Sequence, residues 1–168
     1  MLLSWFEEKR KIVSVNVSFD DMKNKDTYNY IINKLQEHKD ISSFLHFELL
    51  ETEEIEDFSI AKRFIDEVKS FGCQVGVDDF GAGYSNFNML SELEVDFVKI
   101  DGSLIKQVDR NESQEIIVDT ISKYSKRTNV KTIAEFVSQE EIFDKIKDLD
   151  INYAQGYYFS PPISLQKV

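Results

Sequence analysis

Cysteine is almost absent: Cys73 stands alone among 168 residues. No intrachain disulfide can form, which fits a reducing, cytoplasmic setting. A single thiol at the start of an apolar segment is expected to be a small core residue. Proline and glycine are also scarce, at two and six, leaving no composition for a disordered linker. One domain over residues 1–168 is therefore expected. No apolar run approaches the roughly 20 residues of a membrane span. Met1-Leu2-Leu3 runs into Glu7 and Glu8, which does not make a secretory leader. Histidine occurs only as His38 and His46, so there is no Cys/His cluster of the zinc type. Cations are outnumbered: 20 Lys and Arg stand against 31 Asp and Glu, a net charge of -11. That balance argues against a nucleic-acid polymer as the main partner. A small phosphate ligand stays open, because bound cations invert the sign of a site locally.

What remains is the balance of a soluble globular protein, 42% hydrophobic and 30% charged. Ile12 to Ser18 alternates, with Val13, Val15 and Val17 on one face, and reads as a strand. Trp5 to Arg10 reads as the tail of a helix before it. Asp26 is placed to cap a helix carrying Tyr28, Ile31, Ile32 and Leu35. Phe44 to Leu49 is a second strand. Ile55 to Phe71 is an amphipathic helix that Gly72 should stop. Gln74 to Asp79 and Val95 to Asp101 are further strands, with a short helix near Ser85 to Ser91 between them. A helix with Ile116, Ile117, Thr120, Ile121 and Tyr124 leads to a strand from Val130 to Glu135. Ser138-Gln139-Glu140-Glu141 has the pattern of a capping box, and Tyr153 to Phe159 reads as a last short strand with its loop. Strands alternating with helices predict βα units and a mostly parallel sheet.

The central stretch is V-G-V-D-D-F-G-A-G-Y-S, Val75 to Ser85. A buried strand ends there in two adjacent carboxylates, Asp78 and Asp79, and a glycine turn follows. Two neighbouring carboxylates repel, and divalent cations relieve that repulsion. The same residues also suit an Asx-rich turn that merely bonds backbone amides. The other units weigh on this choice. Asn16, Glu48, Asp78 with Asp79, Lys99, Glu135 and Gln155 all fall near the far ends of successive strands. One polar residue per unit at that level is how a βα barrel builds its site. Asn16, Glu48, Asp78, Asp79 and Glu135 supply hard oxygen donors suited to Mg²⁺ or Mn²⁺. Lys99 adds a cation able to orient a water or neutralise a phosphate. Oxygen ligands, paired metals and a positioned water serve phosphoester hydrolysis. The sequence holds no Ser-His-Asp or Cys-His pattern.

These segments resemble the EAL-domain phosphodiesterases, which hydrolyse the bacterial second messenger cyclic di-GMP to linear pGpG. S-V-N-V-S at 14–18, F-E-L-L-E-T at 47–52, D-D-F-G-A-G-Y-S at 78–85, V-K-I-D at 98–101, I-A-E at 133–135 and Q-G-Y-Y-F-S-P-P at 155–162 follow in the family's order. The resemblance implies that Asn16, Glu48, Asp78, Asp79 and Glu135 are metal ligands of a two-metal Mg²⁺ or Mn²⁺ site, with Asp78 bridging. It implies that Lys99 holds the nucleophilic water beside Glu135, that Gln155 and Asp101 line the substrate site, and that Glu51 braces the loop after Asp79. On its residues alone Glu51 reads as a solvated charge at a strand end.

The sequence departs from the family in three places. The E-A-L motif of the first barrel strand, with its ligand Glu and a nearby phosphate-gripping Arg, is not present. A full βα barrel has eight strands, and about six are legible here. The expected fold is thus α/β, an incomplete EAL-type (β/α)8 TIM-like barrel lacking the first strand. After Glu135 the family usually reads E-G-V-E, whereas this chain has Phe136, Val137 and Ser138. Where the family has the threonine of E-L-T-E, this chain has Leu50. An open barrel edge calls for cover, so a homodimer or an upstream regulatory domain is expected. Two readings compete: a metal-dependent phosphodiesterase in bacterial signalling, impaired when alone, and a non-catalytic module binding cyclic di-GMP or a protein partner.

Overall fold

Among the described residues, short apolar segments build six strands, and between them amphipathic segments build helices. The computed structural model describes residues 11–51, 55, 57–83 and 87–163. The strands are β1 (Val13–Asn16), β2 (Leu45–Leu50), β3 (Gln74–Phe80), β4 (Phe97–Ile100), β5 (Lys131–Ala134) and β6 (Tyr153–Ala154). The helices are α1 (Phe19–Lys23), α2 (Lys25–Glu37), α3 (Phe58–Ser70), α4 (Phe87–Glu92), α5 (Gly102–Ile105), α6 (Glu112–Thr128) and α7 (Glu140–Asp148). The expected helix at Trp5 to Arg10 lies outside the described residues. The fold is mixed α/β with parallel strand pairing, as βα units require. It divides into two compact units. The first takes its described residues from 11–78 and 87–96, and the second from 79–83 and 97–163.

In the first unit β1 pairs with β2 and β2 with β3, all parallel. Its core is aromatic. Phe64 of α3 meets Tyr28 of α2 at 5.8 Å and Phe47 of β2 at 5.6 Å between ring centroids, both edge to face. The Tyr28 hydroxyl donates to Glu67, and the Arg63 guanidinium lies 4.9 Å above the Tyr28 ring. Residues 87–96 return to this unit through Asp96. Its carboxylate accepts from the Val75 amide at 2.8 Å and pairs with Lys69 at 2.8 Å, while its own amide donates to the Val75 carbonyl at 2.7 Å. In the second unit β4 pairs with β5 and β5 with β6, again parallel. Val118 and Ile121 of α6 and Ile142 and Ile146 of α7 are buried with Val98, Ile100 and Ala134 of the strands. Asn152 ties the start of β6 to Thr132 of β5 by paired bonds of 3.0 and 3.1 Å.

Several local expectations are corrected. β1 is shorter than Ile12 to Ser18 and its valine face is not a buried one: Val15 is 40% exposed, and of the three valines only Val17, beyond the strand, is buried. Asn24, not Asp26, caps α2, because its Oδ1 reaches the amides of Asp26 and Thr27 at 3.0 and 3.1 Å. α3 starts at Phe58 rather than Ile55, since the Asp57 carboxylate takes the Ser59 amide at 2.8 Å. Gly72 ends it at φ +87°, as a glycine stop should. The capping box at Ser138 does not form: Gln139 is the N-cap of α7 and makes no side-chain cap bond. A reciprocal box forms instead between Ser18 and Asp21 on α1, a helix not anticipated. The last strand is only two residues, because Gly156 at φ +153° turns the chain.

Candidate functional site

In the first unit, strand register gathers the polar candidates. Asn16 lies directly opposite Glu48, and Glu48 opposite Gly76. Asp78 is two residues beyond Gly76, so side-chain alternation puts Asn16, Glu48 and Asp78 on one face. Asn16 is exposed, Asp78 half-buried and Glu48 buried. Glu51, read from its residues as a solvated charge, is instead buried at 5% exposure, with its amide donating to the Asp78 carbonyl at 3.1 Å.

The second unit repeats the device. Lys99 is opposite Ile133, and Ile133 opposite Tyr153. Glu135 and Gln155 lie two residues on from those partners, so Lys99, Glu135 and Gln155 share a face. Their side chains meet. The Lys99 ammonium is 2.9 Å from Glu135 Oε1, and Gln155 Nε2 donates to the same oxygen at 2.5 Å. Glu135 is only 5% exposed, and a carboxylate so placed requires such partners. Asp79 and Glu135 bring carboxylate oxygens within 4.8 Å of each other. Asp79 takes the left-handed conformation at φ +54°, and its carbonyl accepts the Ala82 amide at 3.1 Å to close the turn.

Asp101 is the N-cap of α5, accepting the Ser103 amide at 2.9 Å. Burial raises its pKa, but the hydrogen bonds from Ser103 and Gly102 and the nearby Lys106 charge outweigh that and hold it below the ordinary carboxylate value.

Sequence reasoning missed the role of Phe136. It follows Glu135 at φ +56°, where glycine is the easy residue. The chain can then reverse, so that the Val137 amide donates to the Gln155 carbonyl at 3.1 Å and Tyr158 donates to the Val137 carbonyl at 3.0 Å. The departure from E-G-V-E was the available signal.

The donor set suits a divalent metal. Carboxylates converging to 4.8 Å repel unless positive charge lies among them, and oxygen donors on acids select hard cations. An EAL domain family model matches residues 1–162. The chain belongs to the EAL domain family. Among its relatives, a cyclic di-GMP phosphodiesterase of Borreliella burgdorferi, PdeA, is 35% identical over 90% of this chain. PdeB of Shewanella oneidensis, also a cyclic di-GMP phosphodiesterase, is 33% identical over 89% of it. The chain spans about a fifth of the length of these relatives, 22% and 18%. A crystal structure of an EAL domain protein from Listeria monocytogenes superposes with a TM-score of 0.88 at 27% identity, covering 98% of this chain and 66% of that one. The PaMucR phosphodiesterase in its cyclic di-GMP complex has the same fold, with a TM-score of 0.85 at 24% identity, covering 99% and 68%. Both matches place this EAL chain in the βα-barrel architecture expected of it.

Proposed function

We propose that this EAL chain carries the metal-binding and hydrolytic face of a cyclic di-GMP phosphodiesterase that yields linear pGpG in the cytoplasm of a bacterium. The observation carrying this reading is the convergence of Lys99 and Gln155 on Glu135, with Asp79 within carboxylate reach. The names and bacterial sources of the relatives support it. Among the described residues no helix is long and apolar enough to cross a membrane.

Asp78, Asp79 and Glu135 would hold Mg²⁺ or Mn²⁺ from the acidic group, and Asn16 and Glu48 complete the ligand set. Cations held there would supply a more acidic water and positive charge for the phosphate oxygens. Lys99 pairs with Glu135 and aims it, and its ammonium orients the water and balances the acids. Gln155 fixes Glu135 from the other side and lines the substrate site with Asp101. Glu51, buried beside β3, which carries Asp78 and Asp79, steadies the turn after them. The macromolecular partner is a second copy of the chain or an upstream regulatory domain.

Incubating the chain with Mn²⁺ or Mg²⁺ and cyclic di-GMP, with Asp78→Ala as the control, tests this. Formation of pGpG that is lost in the variant is the expected outcome. Calorimetric binding of cyclic di-GMP without turnover would turn the assignment to a non-catalytic binding module. Neither turnover nor binding would end it.

A further inference from the structure

Left-handed backbone at an aromatic residue needs something to hold it, and at Phe136 the holding partner is a glycine. A Cβ added at Gly102 would lie 2.4 Å from Phe136 Cδ2, 2.8 Å from Cγ and 3.1 Å from Cβ. The ring therefore rests against the bare backbone of residue 102. The Lys106 ammonium, one turn further along, sits 4.4 Å from the ring centroid. Both groups belong to the segment that Asp101 opens by capping α5. Rotation about the Phe136 Cα–Cβ bond would relieve the contacts at Cδ2 and Cγ but not the one at Cβ, so a side chain at 102 also presses on the backbone directly after Glu135. Two bonds flank that backbone: the Glu135 amide donates to the Ile100 carbonyl at 3.2 Å before it, and the Val137 amide donates to the Gln155 carbonyl at 3.1 Å after it.

We infer that Gly102 is a positioning residue for the cation site: its missing side chain seats the Phe136 ring, and the seated ring sets where Glu135 and Gln155 stand. The inference rests on the reading of Glu135 as a cation ligand. Where glycine occupies position 136 nothing needs seating, and position 102 is released from this constraint. The two positions are thus a compensating pair in this chain, and a side chain at one excludes a side chain at the other.

The test is a double-variant cycle on the full chain, read by Mn²⁺ binding through the electron-paramagnetic signal of the free ion, with metal-free thermal unfolding alongside. Gly102→Ala is expected to weaken Mn²⁺ binding about tenfold, the size seen when an outer support of a ligand is disturbed. Phe136→Gly alone is expected to stay within about twofold of the parent, and Gly102→Ala/Phe136→Gly to return to that level. Should Gly102→Ala alone fail to fold, the double variant decides: folded and binding like the parent, it supports the pairing; unfolded or tenfold weaker, it overturns it. Gly102→Ala binding like the parent overturns the positioning role, even with a lowered melting temperature. A parent chain that takes up no Mn²⁺ overturns the cation reading itself, and this inference with it.

Discussion

The two units present polar residues to similar ends by different backbone means. The first uses regular strands: Asn16, Glu48 and Asp78 share a face because parallel register and alternation put them there. The second adds left-handed turns: Asp79 at φ +54° and Phe136 at φ +56° bracket its acids Asp79 and Glu135. Regular backbone is held by its ladder and its core. Left-handed backbone at a non-glycine residue costs roughly 1–2 kcal/mol and persists only where surroundings or function hold it. The first unit is thus the conformationally relaxed half of the acid set and the second the strained half.

The largest way to sharpen that contrast is Phe64→Ala, which removes the ring joining Tyr28 and Phe47 at 0% exposure. A loss of about 3–5 kcal/mol is expected in denaturant unfolding; a loss under about 1 kcal/mol would mean the first unit is not held by this core. Lys99→Met comes next. It leaves Glu135 buried with its ammonium gone, so about 3 kcal/mol of stability should go, together with a fall of about a hundredfold or more in any pGpG formation. Unchanged stability would show that Lys99 is not the charge that holds Glu135.

Asp79→Gly and Glu48→Gly break the comparison most directly. Asp79→Gly relieves the left-handed backbone and should leave stability unchanged or raised by up to about 1 kcal/mol, while Mn²⁺ uptake falls. Glu48→Gly, in the interior of β2, should cost at least about 1 kcal/mol. Equal losses from both would erase the distinction between the units.

The smallest effects concern pH and thiol chemistry. Burial holds the His46 pKa below its ordinary value, against the pull of Glu48 and Asp96. The unfolded chain therefore binds the proton more readily, and stability falls as pH drops below the unfolded histidine value of about 6.5. His46→Gln should flatten the melting temperature between pH 7.5 and 5.5 (roughly one unit either side of that value). A parent slope that persists in the variant assigns it elsewhere. Cys73 is 3% exposed, with its thiol pushed up to about 11 by burial. A thiol reagent at neutral pH should label it only after unfolding.

Period-two alternation and glycine stops were enough to place most of the strands and the α/β class. Register did the rest for Asn16, Glu48, Lys99, Glu135 and Gln155, because alternation carries a residue two positions along to the same face. What was not legible is local and short. α1 and α5 are five and four residues long, too short for a periodic signal. Asn24 outcompeted Asp26 as a cap because the side chain two residues ahead reaches the free amides. The left-handed state of Phe136 could not be read from an aromatic residue, whose ordinary backbone lies elsewhere. The burial of Glu51 depends on tertiary packing, which a strand-end charge does not announce.

Asp96 has a further consequence for the order in which the protein can assemble during synthesis. The clasp that closes β3 onto the first unit, Val75 to Asp96 to Lys69, joins residues that leave the ribosome well apart. A nascent chain that ends at Phe80 has made β1, β2 and β3 but not the carboxylate that ties the last one down. Between the two lies the turn that carries Asp79. The acidic turn is therefore synthesised before the structure that secures its strand, and the first unit becomes whole only after the chain has already begun the second.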